Sequence, residues 1–325
     1  MTQPTEPGHA GALRVIFAAM IANGFIAVAK FVAFGFTASS AMLAEAFHSV
    51  ADTGNQLLMM LGVKRELKPP DHRHPYGYGK EGYFWSFVVA LSLFSLGAAF
   101  ALYEGIHKLQ ELRAGHTETG SQVVGMIVLG VSLAVEGWSF MVAIKEFNAG
   151  RGNLTFREAI QEARSAEIIT VLFEDTAAVI GLAVALLGAV MTQLTGNGMW
   201  DAAATLVIAL VLASVSVFLA TMTKRLLIGQ SASRRVEAQI AQQIRTVEGV
   251  EDIVELRTLH MGGSFILLNL GVKFRGTMTV TDLERTIDAI ETRVKAAVPD
   301  VKRIFIEADT VKAAGQPRGQ DGPVP

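Results

Sequence analysis

Two pairs of ionisable residues lie inside otherwise apolar stretches of the sequence. His48 and Asp52 are four residues apart in AEAFHSVADTGNQ, and this spacing places both side chains on one face of a helix. Glu174 and Asp175 are adjacent in VLFEDTAAVIG. Imidazole and carboxylate groups that converge in one site are ligands for divalent first-row metals such as zinc. The chain has no cysteine, so a metal site must be built from His, Asp and Glu.

The apolar surroundings make these pairs candidates for function. Of the 325 residues, 51% are hydrophobic and 18% are charged, whereas soluble domains usually carry about 25% charge. An ionisable side chain in hydrocarbon costs roughly 3 kcal/mol unless it is paired or functional. A hydrogen bond between His48 and Asp52 is the structural alternative, but two pairs at comparable depth favour a metal site. Six stretches, numbered here as spans one to six, reach the roughly 20 residues that cross a bilayer: 10–36, 40–63, 83–109, 121–144, 168–193 and 202–222.

The loops between these spans differ in their basic residues. The loops after spans one and five have no Lys or Arg, and the loop after span three has only Lys108 and Arg113. The other loops, and the segment after span six, carry Lys64, Arg65, Lys68, Arg73, Lys80, Lys145, Arg151, Arg157, Arg164, Lys224 and Arg225. Basic loops stay in the cytoplasm. We therefore expect a multi-pass protein of the cell (cytoplasmic) membrane with both termini in the cytoplasm.

After Arg225 the composition changes to that of a small soluble domain. Its periodicity predicts a helix over 234–247, strands over 250–259 and 265–274, a helix to about Val298 and a strand over 301–306. The expected fold class is an α-helical membrane protein with six transmembrane helices, plus a small cytoplasmic α+β domain of order α-β-β-α-β. The expected domains are a membrane domain over 1–225, a soluble α+β domain over 226–310 and a disordered tail over 311–325.

Two capping boxes are predicted from Thr-x-x-Glu patterns. Thr281 and Glu284 should open the second helix of the C-terminal domain. Thr155 and Glu158 should open a polar helix over 156–167 that runs into span five. Both patterns place a hydroxyl and a carboxylate where they satisfy backbone N–H groups at a helix start.

A buried lysine in span one has a structural explanation. Asn23 and Lys30 are seven residues apart, so they share a helical face. We expect Lys30 to neutralise an acid such as Glu45 or Glu136, or to extend its ammonium group to a membrane interface.

Composition and motifs exclude two function classes. The formal net charge is −2, from 28 basic and 30 acidic residues, which gives no electrostatic support for nucleic-acid binding. A membrane metalloprotease needs an open zinc site with a general base, as in HExxH, and the sequence has no such motif. We therefore expect no enzyme. A membrane metal sensor or scaffold that binds ions without moving them stays open.

The motifs together resemble the cation diffusion facilitator family, whose members export zinc and similar ions. The resemblance lies in HSVAD at 48–52, DHRHPYGYGKEG at 71–82, DTAAVIG at 175–181 and the plan of six spans with an α/β tail. It implies that His48, Asp52 and Asp175 match three of the four residues of the family's transport site. The fourth is normally a His one turn before the span-five Asp, where this chain has Val171. Glu174 is the candidate replacement, because LFEDTAA resembles the branch with mitochondrial-type zinc transporters; a water molecule and Asn55 are the alternatives.

The resemblance also implies two accessory metal sites that are doubtful in this chain. After span two, Asp71 and His74 match a possible weak site, but Tyr78 stands where a third His is expected. An ordinary turn explains this loop equally well. In the C-terminal domain the ligand positions of the relatives fall on Val254, Asn269, Glu307 and Asp309. That domain is therefore expected to bind no structural metal and to form a homodimer.

The expected function is export of a divalent cation, with Zn²⁺ as the expected substrate, in exchange for protons. Carboxylates and an imidazole cannot share a low-dielectric site while it is empty and fully charged, so the empty site should take up protons. Metal binding should release them, because ligands coordinate in their deprotonated form. Export of manganese, iron or cobalt is the alternative, although an imidazole ligand favours zinc over manganese. No prosthetic group is expected, since the metal is cargo.

Overall fold

The structure, a computed structural model, describes residues 7–37, 40–114, 122–152, 154–161 and 166–308. The chain divides into two compact units, Met1–Ile228 and Gly229–Pro325. The predicted tail, 311–325, lies outside the described residues. The described part of the first unit is helical: α1 (Pro7–Thr37), α2 (Ser40–Glu66), α3 (Lys80–Ser92), a π-helical segment (Leu93–Ala99), α4 (Phe100–Arg113), α5 (Gln122–Arg151), α6 (Phe156–Gln161), α7 (Ala166–Thr195) and α8 (Met199–Ile228).

The six predicted spans are confirmed. Five segments within the described residues are long and apolar enough to cross a membrane: Ala10–Gly35, Lys80–Arg113, Val123–Arg151, Ala166–Thr195 and Met199–Ile228. The sixth span is α2, which has 27 residues and packs against α1 and α3. Its mean hydropathy is lower because it carries polar residues such as Asn55 and Gln56, which are buried in the bundle, while Leu57 is exposed.

Span three is one continuous helical segment of 34 residues that contains a π-helical segment. The wider i→i+5 turns of a π-helix are rare and often occur at functional sites. The single predicted span 83–109 falls inside this segment, but the residue pattern gave no signal for the π-helical geometry.

Glycines of α7 and α4 allow close contacts with α8. A Cβ at Gly188 of α7 would lie 2.6 Å from Ala204 Cβ of α8, and one at Gly105 of α4 would lie 2.7 Å from Leu206 Cδ2. Small residues at such contacts let helix backbones approach each other inside membranes. These contacts hold α8 against both α4 and α7.

One apolar core joins the helices that surround the candidate site. It includes fully buried Ile16 of α1, Met59 of α2, Val89 of α3, Ile169 of α7 and Leu219 of α8. Interiors of this kind are close-packed, so they fix the rotation of each helix and the direction of its polar side chains.

The second unit confirms the predicted α-β-β-α-β order. Its elements are α9 (Arg234–Arg245), β1 (Val250–Gly262), β2 (Phe265–Phe274), α10 (Val280–Ala297) and β3 (Val301–Ala308). The sheet order is β1-β2-β3; β1 pairs antiparallel with β2, and β2 pairs parallel with β3. The parallel pair requires a crossover, which α10 supplies. Alternate residues of β2, such as Leu268 and Val272, join Ile240, Ile244 and Ile290 in a separate core.

The capping box predicted at Thr281 and Glu284 is wrong, because α10 begins two residues earlier. Thr279 Oγ1 accepts a hydrogen bond from Asp282 N at 3.2 Å, and Asp282 Oδ2 accepts one from Thr279 N at 3.3 Å. The two Thr residues offer overlapping patterns, and the shorter Asp side chain reaches the backbone here as a Glu usually does.

The capping box predicted at Thr155 and Glu158 is confirmed. Glu158 Oε2 accepts from Thr155 N at 2.9 Å, and Thr155 Oγ1 accepts from Glu158 N at 3.3 Å. The helix that follows is α6, which ends at Gln161. Residues 162–165 lie outside the described residues, so the predicted continuation of this helix into span five stays a prediction.

Candidate metal centre

Buried polar side chains from four helices, α1, α2, α5 and α7, converge within the first unit. Each of the following is at most 6% exposed: Asn23, Lys30, Asn55, Gln56, Glu136, Ser139, Glu174 and Asp175. Burial of so many polar groups is costly unless they satisfy one another or bind something. The pairs and hydrogen bonds among them define the site.

Glu174 of α7 is held by amides of α2. Its Oε1 accepts a hydrogen bond from Asn55 Nδ2, and its Oε2 accepts one from Gln56 Nε2, both at 3.1 Å. Gln56 Oε1 in turn accepts from Asn23 Nδ2 of α1 at 3.4 Å. Both oxygens of this carboxylate therefore have amide donors, and the chain of hydrogen bonds links α7, α2 and α1.

Asp175 has a different partner on a different helix. Its Oδ2 accepts a hydrogen bond from Ser139 Oγ of α5 at 2.8 Å. Adjacent residues of an α-helix point about 100° apart, which explains why Glu174 faces α2 while Asp175 faces α5. The two acids of the span-five motif are thus not interchangeable in geometry.

Four acidic side chains act electrostatically on one another in this region. Asp52 acts on Glu136, Glu174 and Asp175, and Asp175 also acts on Glu136. Lys30 attracts Glu136, which agrees with the expectation that it neutralises an acid of this kind. Like charges in a low dielectric repel strongly, so the cluster favours binding of a cation or of protons.

The predicted ligands are brought together only in part. Asp52, Glu174 and Asp175 belong to one electrostatic cluster. His48 lies one turn before Asp52 in α2, but its side chain lies outside the described residues. Among the side chains that are described, no three His, Asp or Glu groups are arranged as a preformed metal site.

The sequence motifs do not indicate the contribution of α5 to this site. From the sequence, Glu136 is expected only as a partner for Lys30, and no motif singles out Ser139. The available signal was an acid inside span four with a hydroxyl three residues later, which places both groups on one helical face. Gln56, which holds Glu174, was also missed, because an amide in a membrane helix gives a weaker signal than a charge.

The loop after α2 uses Asp71 to build a turn. Asp71 Oδ1 accepts from the backbone N–H groups of Arg73 at 2.9 Å and His74 at 2.8 Å. Its Oδ2 accepts from the Tyr78 hydroxyl at 2.6 Å and lies 3.6 Å from Lys68 Nζ. The Tyr78 hydrogen bond, followed by the bond from His74 N–H, holds the pKa of Asp71 well below its usual range. A metal at the predicted accessory site of Asp71 and His74 has to compete with these bonds.

Tyr78→Phe is expected to raise the pKa of Asp71 towards its usual range, because it removes the largest cause of the depression. A carboxylate whose pKa is lower in the folded state than in the unfolded state stabilises the folded state at pH values above the unfolded-state pKa. This contribution is lost as the pH falls through the folded-state pKa. The Tyr78→Phe variant should therefore retain less of this pH-dependent stabilisation of the folded state. A carbon-13 NMR titration of the Asp71 carboxyl measures the change. Tyr76→Phe, in the same loop, is the matched control and should leave the titration unaltered.

Comparison with known proteins places the chain in a family. Residues 16–228 match the family profile described as the cation efflux transmembrane domain. The chain belongs to the cation efflux family. Residues 232–311 match the profile described as the cytoplasmic domain of cation efflux proteins, which corresponds to the second unit. The resemblance seen in the sequence motifs is therefore confirmed.

Individual relatives cover most of this chain at modest identity. Metal tolerance protein C4 of Arabidopsis thaliana is 29% identical over 84% of the chain and 60% of that protein. The human mitochondrial proton-coupled zinc antiporter SLC30A9 is 30% identical over 81% of the chain and 46% of that protein. The magnetosome protein MamB of Paramagnetospirillum magneticum is 24% identical over 85% of the chain and 87% of that protein. The chain spans about half the length of the first two relatives.

Proposed function

We propose that this member of the cation efflux family exports a divalent metal cation, Zn²⁺ as its main substrate, in exchange for protons. The observation that carries the proposal is the acidic cluster of half-buried Asp52 with buried Glu174 and Asp175 between membrane-spanning helices. A charged cluster in hydrocarbon is costly, and ion pathways are the usual reason for one. In this proposal His48, Asp52 and Asp175 bind the cation, and the metal is substrate rather than a resident cofactor.

Zinc is the preferred substrate in this proposal because one ligand is an imidazole. His48 suits zinc and its borderline neighbours, whereas a site of carboxylates alone favours harder ions. A relative that shares 30% identity is named a proton-coupled zinc antiporter, which supports the same choice. Manganese, iron or cobalt export is the alternative, and the carboxylate-rich character of the cluster is the feature that favours it.

Exchange for protons follows from the charge of the site. Its acids are removed from water and repel one another, and Lys30 offsets only part of their negative charge. Protons can neutralise the remainder when no metal is bound, and a dication can replace them. If the site opens alternately to either side, metal exit and proton entry become linked steps.

The proposal includes an orientation and an assembly. Both termini lie in the cytoplasm, since the basic loops are then on the cytoplasmic side of the cell membrane. Residues 1–225 carry out transport and residues 226–310 pair in a homodimer. The match of residues 232–311 to the family's cytoplasmic domain supports this division. No metal is assigned to the C-terminal domain.

Flux through purified protein in liposomes tests the proposal. With an acidic lumen and the membrane voltage clamped, external Zn²⁺ should be taken up against its own gradient, and uptake should fall to the leak level without the pH gradient. Manganese, iron, cobalt and cadmium in competition then rank the substrates. Asp175→Asn is the matched inactive control. Equal flux with and without the pH gradient contradicts proton exchange, and binding without any flux indicates a sensor.

A further inference from the structure

We propose that Glu136 of α5 supplies the fourth ligand to the transported cation, in the place of the His that Val171 removes from α7. This inference rests on the proposed function, because it concerns the same intramembrane site. It assigns to α5 a direct role in metal binding and to Glu174 a role in holding helices together.

Glu136 is a buried acid with unused bonding capacity. It is 5% exposed, and its Oε2 is a buried atom with no hydrogen-bond partner among the described residues. A buried acceptor without a partner costs about 1–3 kcal/mol, and more when it is charged. An intramembrane acid that bears such a cost is expected to have a ligand.

The position of Glu136 on α5 directs it towards the other ligands. Ser139, one turn further along α5, donates to Asp175 Oδ2 at 2.8 Å, so this face of α5 lies against α7. Glu136 itself interacts electrostatically with both Asp175 and Asp52. The acids proposed as ligands on α2 and α7 therefore lie within electrostatic reach of Glu136.

Glu174 is less suited to be the fourth ligand. Its two oxygens already accept hydrogen bonds from Asn55 and Gln56, each at 3.1 Å. Coordination of a metal by Glu174 must weaken at least one of these bonds, whereas Glu136 Oε2 has no such bond to lose among the described residues. Glu174 therefore acts as a positioning residue that fixes α2 against α7.

Lys30 of α1 compensates the charge of Glu136 before the cation arrives. Its attraction for Glu136 opposes the repulsion that Asp175 and Asp52 exert on the same carboxylate. The described side chains do not form a preformed metal site, so the cation must draw the carboxylates together. A glutamate side chain has enough rotatable bonds for this movement, while the buried helices around it stay in place.

Metal titration of the full-length protein in lipid nanodiscs tests the assignment independently of transport. Isothermal calorimetry with ZnCl₂ at constant pH should show that Glu136→Gln weakens binding on the order of 100-fold, similar to Asp175→Asn, while Glu174→Gln has a smaller effect. Saturating Co²⁺ should give a different visible ligand-field spectrum in Glu136→Gln, because one oxygen ligand is lost. A role in charge balance alone does not change this spectrum.

Two further variants separate a ligand from a counter-ion. If Glu136 only neutralises Lys30, the double variant K30M/E136Q should regain wild-type affinity, and this result overturns the proposal. Glu136→Asp keeps the charge but shortens the side chain, so a ligand role predicts a loss of Zn²⁺ affinity between those of wild type and Glu136→Gln. If size-exclusion chromatography shows that Glu136→Gln does not fold, Glu136→Asp replaces it in the test. If Glu136→Gln binds Zn²⁺ with wild-type affinity while Asp175→Asn binds it more weakly, the assignment of Glu136 is refuted but the proposed transport site is not. Unchanged affinity in both variants contradicts the transport site itself.

Discussion

Asp175→Asn is expected to abolish metal transport, whereas Glu174→Gln should leave a measurable fraction of it. Asp175 is a proposed ligand of the cation and is 1% exposed. The amide of Asn carries no charge and is a weak metal ligand. Glu174→Gln instead replaces an acceptor of two amide N–H groups by a group that accepts only one of them. One buried amide N–H is then left without its acceptor, which costs about 1–3 kcal/mol and weakens the site without removing a proposed ligand.

The measurement is Zn²⁺ flux in liposomes for four single variants. Asp52→Asn and His48→Ala should be as inactive as Asp175→Asn, since each removes a proposed ligand. Asn55→Asp is a second test of the amide network, because it places a carboxylate opposite Glu174 and should reduce folding yield. Full activity in Asp175→Asn together with none in Glu174→Gln reverses the roles of the two acids.

The fold of this protein is well predicted from its sequence because the membrane-spanning helices are long, continuous apolar stretches. Spans of 30 or more residues such as α1 and α8 are visible in any hydropathy average. The α2 span is less apolar, but its apolar stretch still reaches the roughly 20 residues that cross a bilayer. The residues at which helices begin are harder to predict, as the wrong capping box at Thr281 shows. Two similar patterns competed two residues apart, and only the backbone geometry decides between them.

Sequence motifs predict candidate site residues on α2 and α7, whereas α5 carries no such motif. Intramembrane charges at His48, Asp52 and Asp175 attract attention because hydrocarbon penalises them. The proposed role of Glu136 depends on how α5 is rotated relative to α2 and α7. That rotation is set by packing of apolar side chains between helices, which no local pattern encodes.

Each unit of the chain has its own apolar core, which allows their functions to be separated. The core of the first unit includes Ile16, Met59 and Leu219, and that of the second includes Ile240 and Leu268. The acids of the candidate site all belong to the first unit. Changes in one unit are therefore expected to leave the folding of the other largely intact.

Deletion of residues 233–325 is expected to convert the proposed dimer to a monomer in detergent while Zn²⁺ affinity changes little. The deletion begins after α8 ends at Ile228, so it removes the sheet and both helices of the second unit and leaves the core of the first unit complete. Light scattering coupled to size-exclusion chromatography measures the mass, and calorimetry measures the affinity. Full-length Asp175→Asn is the reciprocal control, since it should lose zinc binding and stay dimeric. If the truncated protein remains dimeric, the dimer contact lies in the membrane-spanning helices. If it folds but no longer binds zinc, the prediction that the second unit is not needed for zinc binding is wrong.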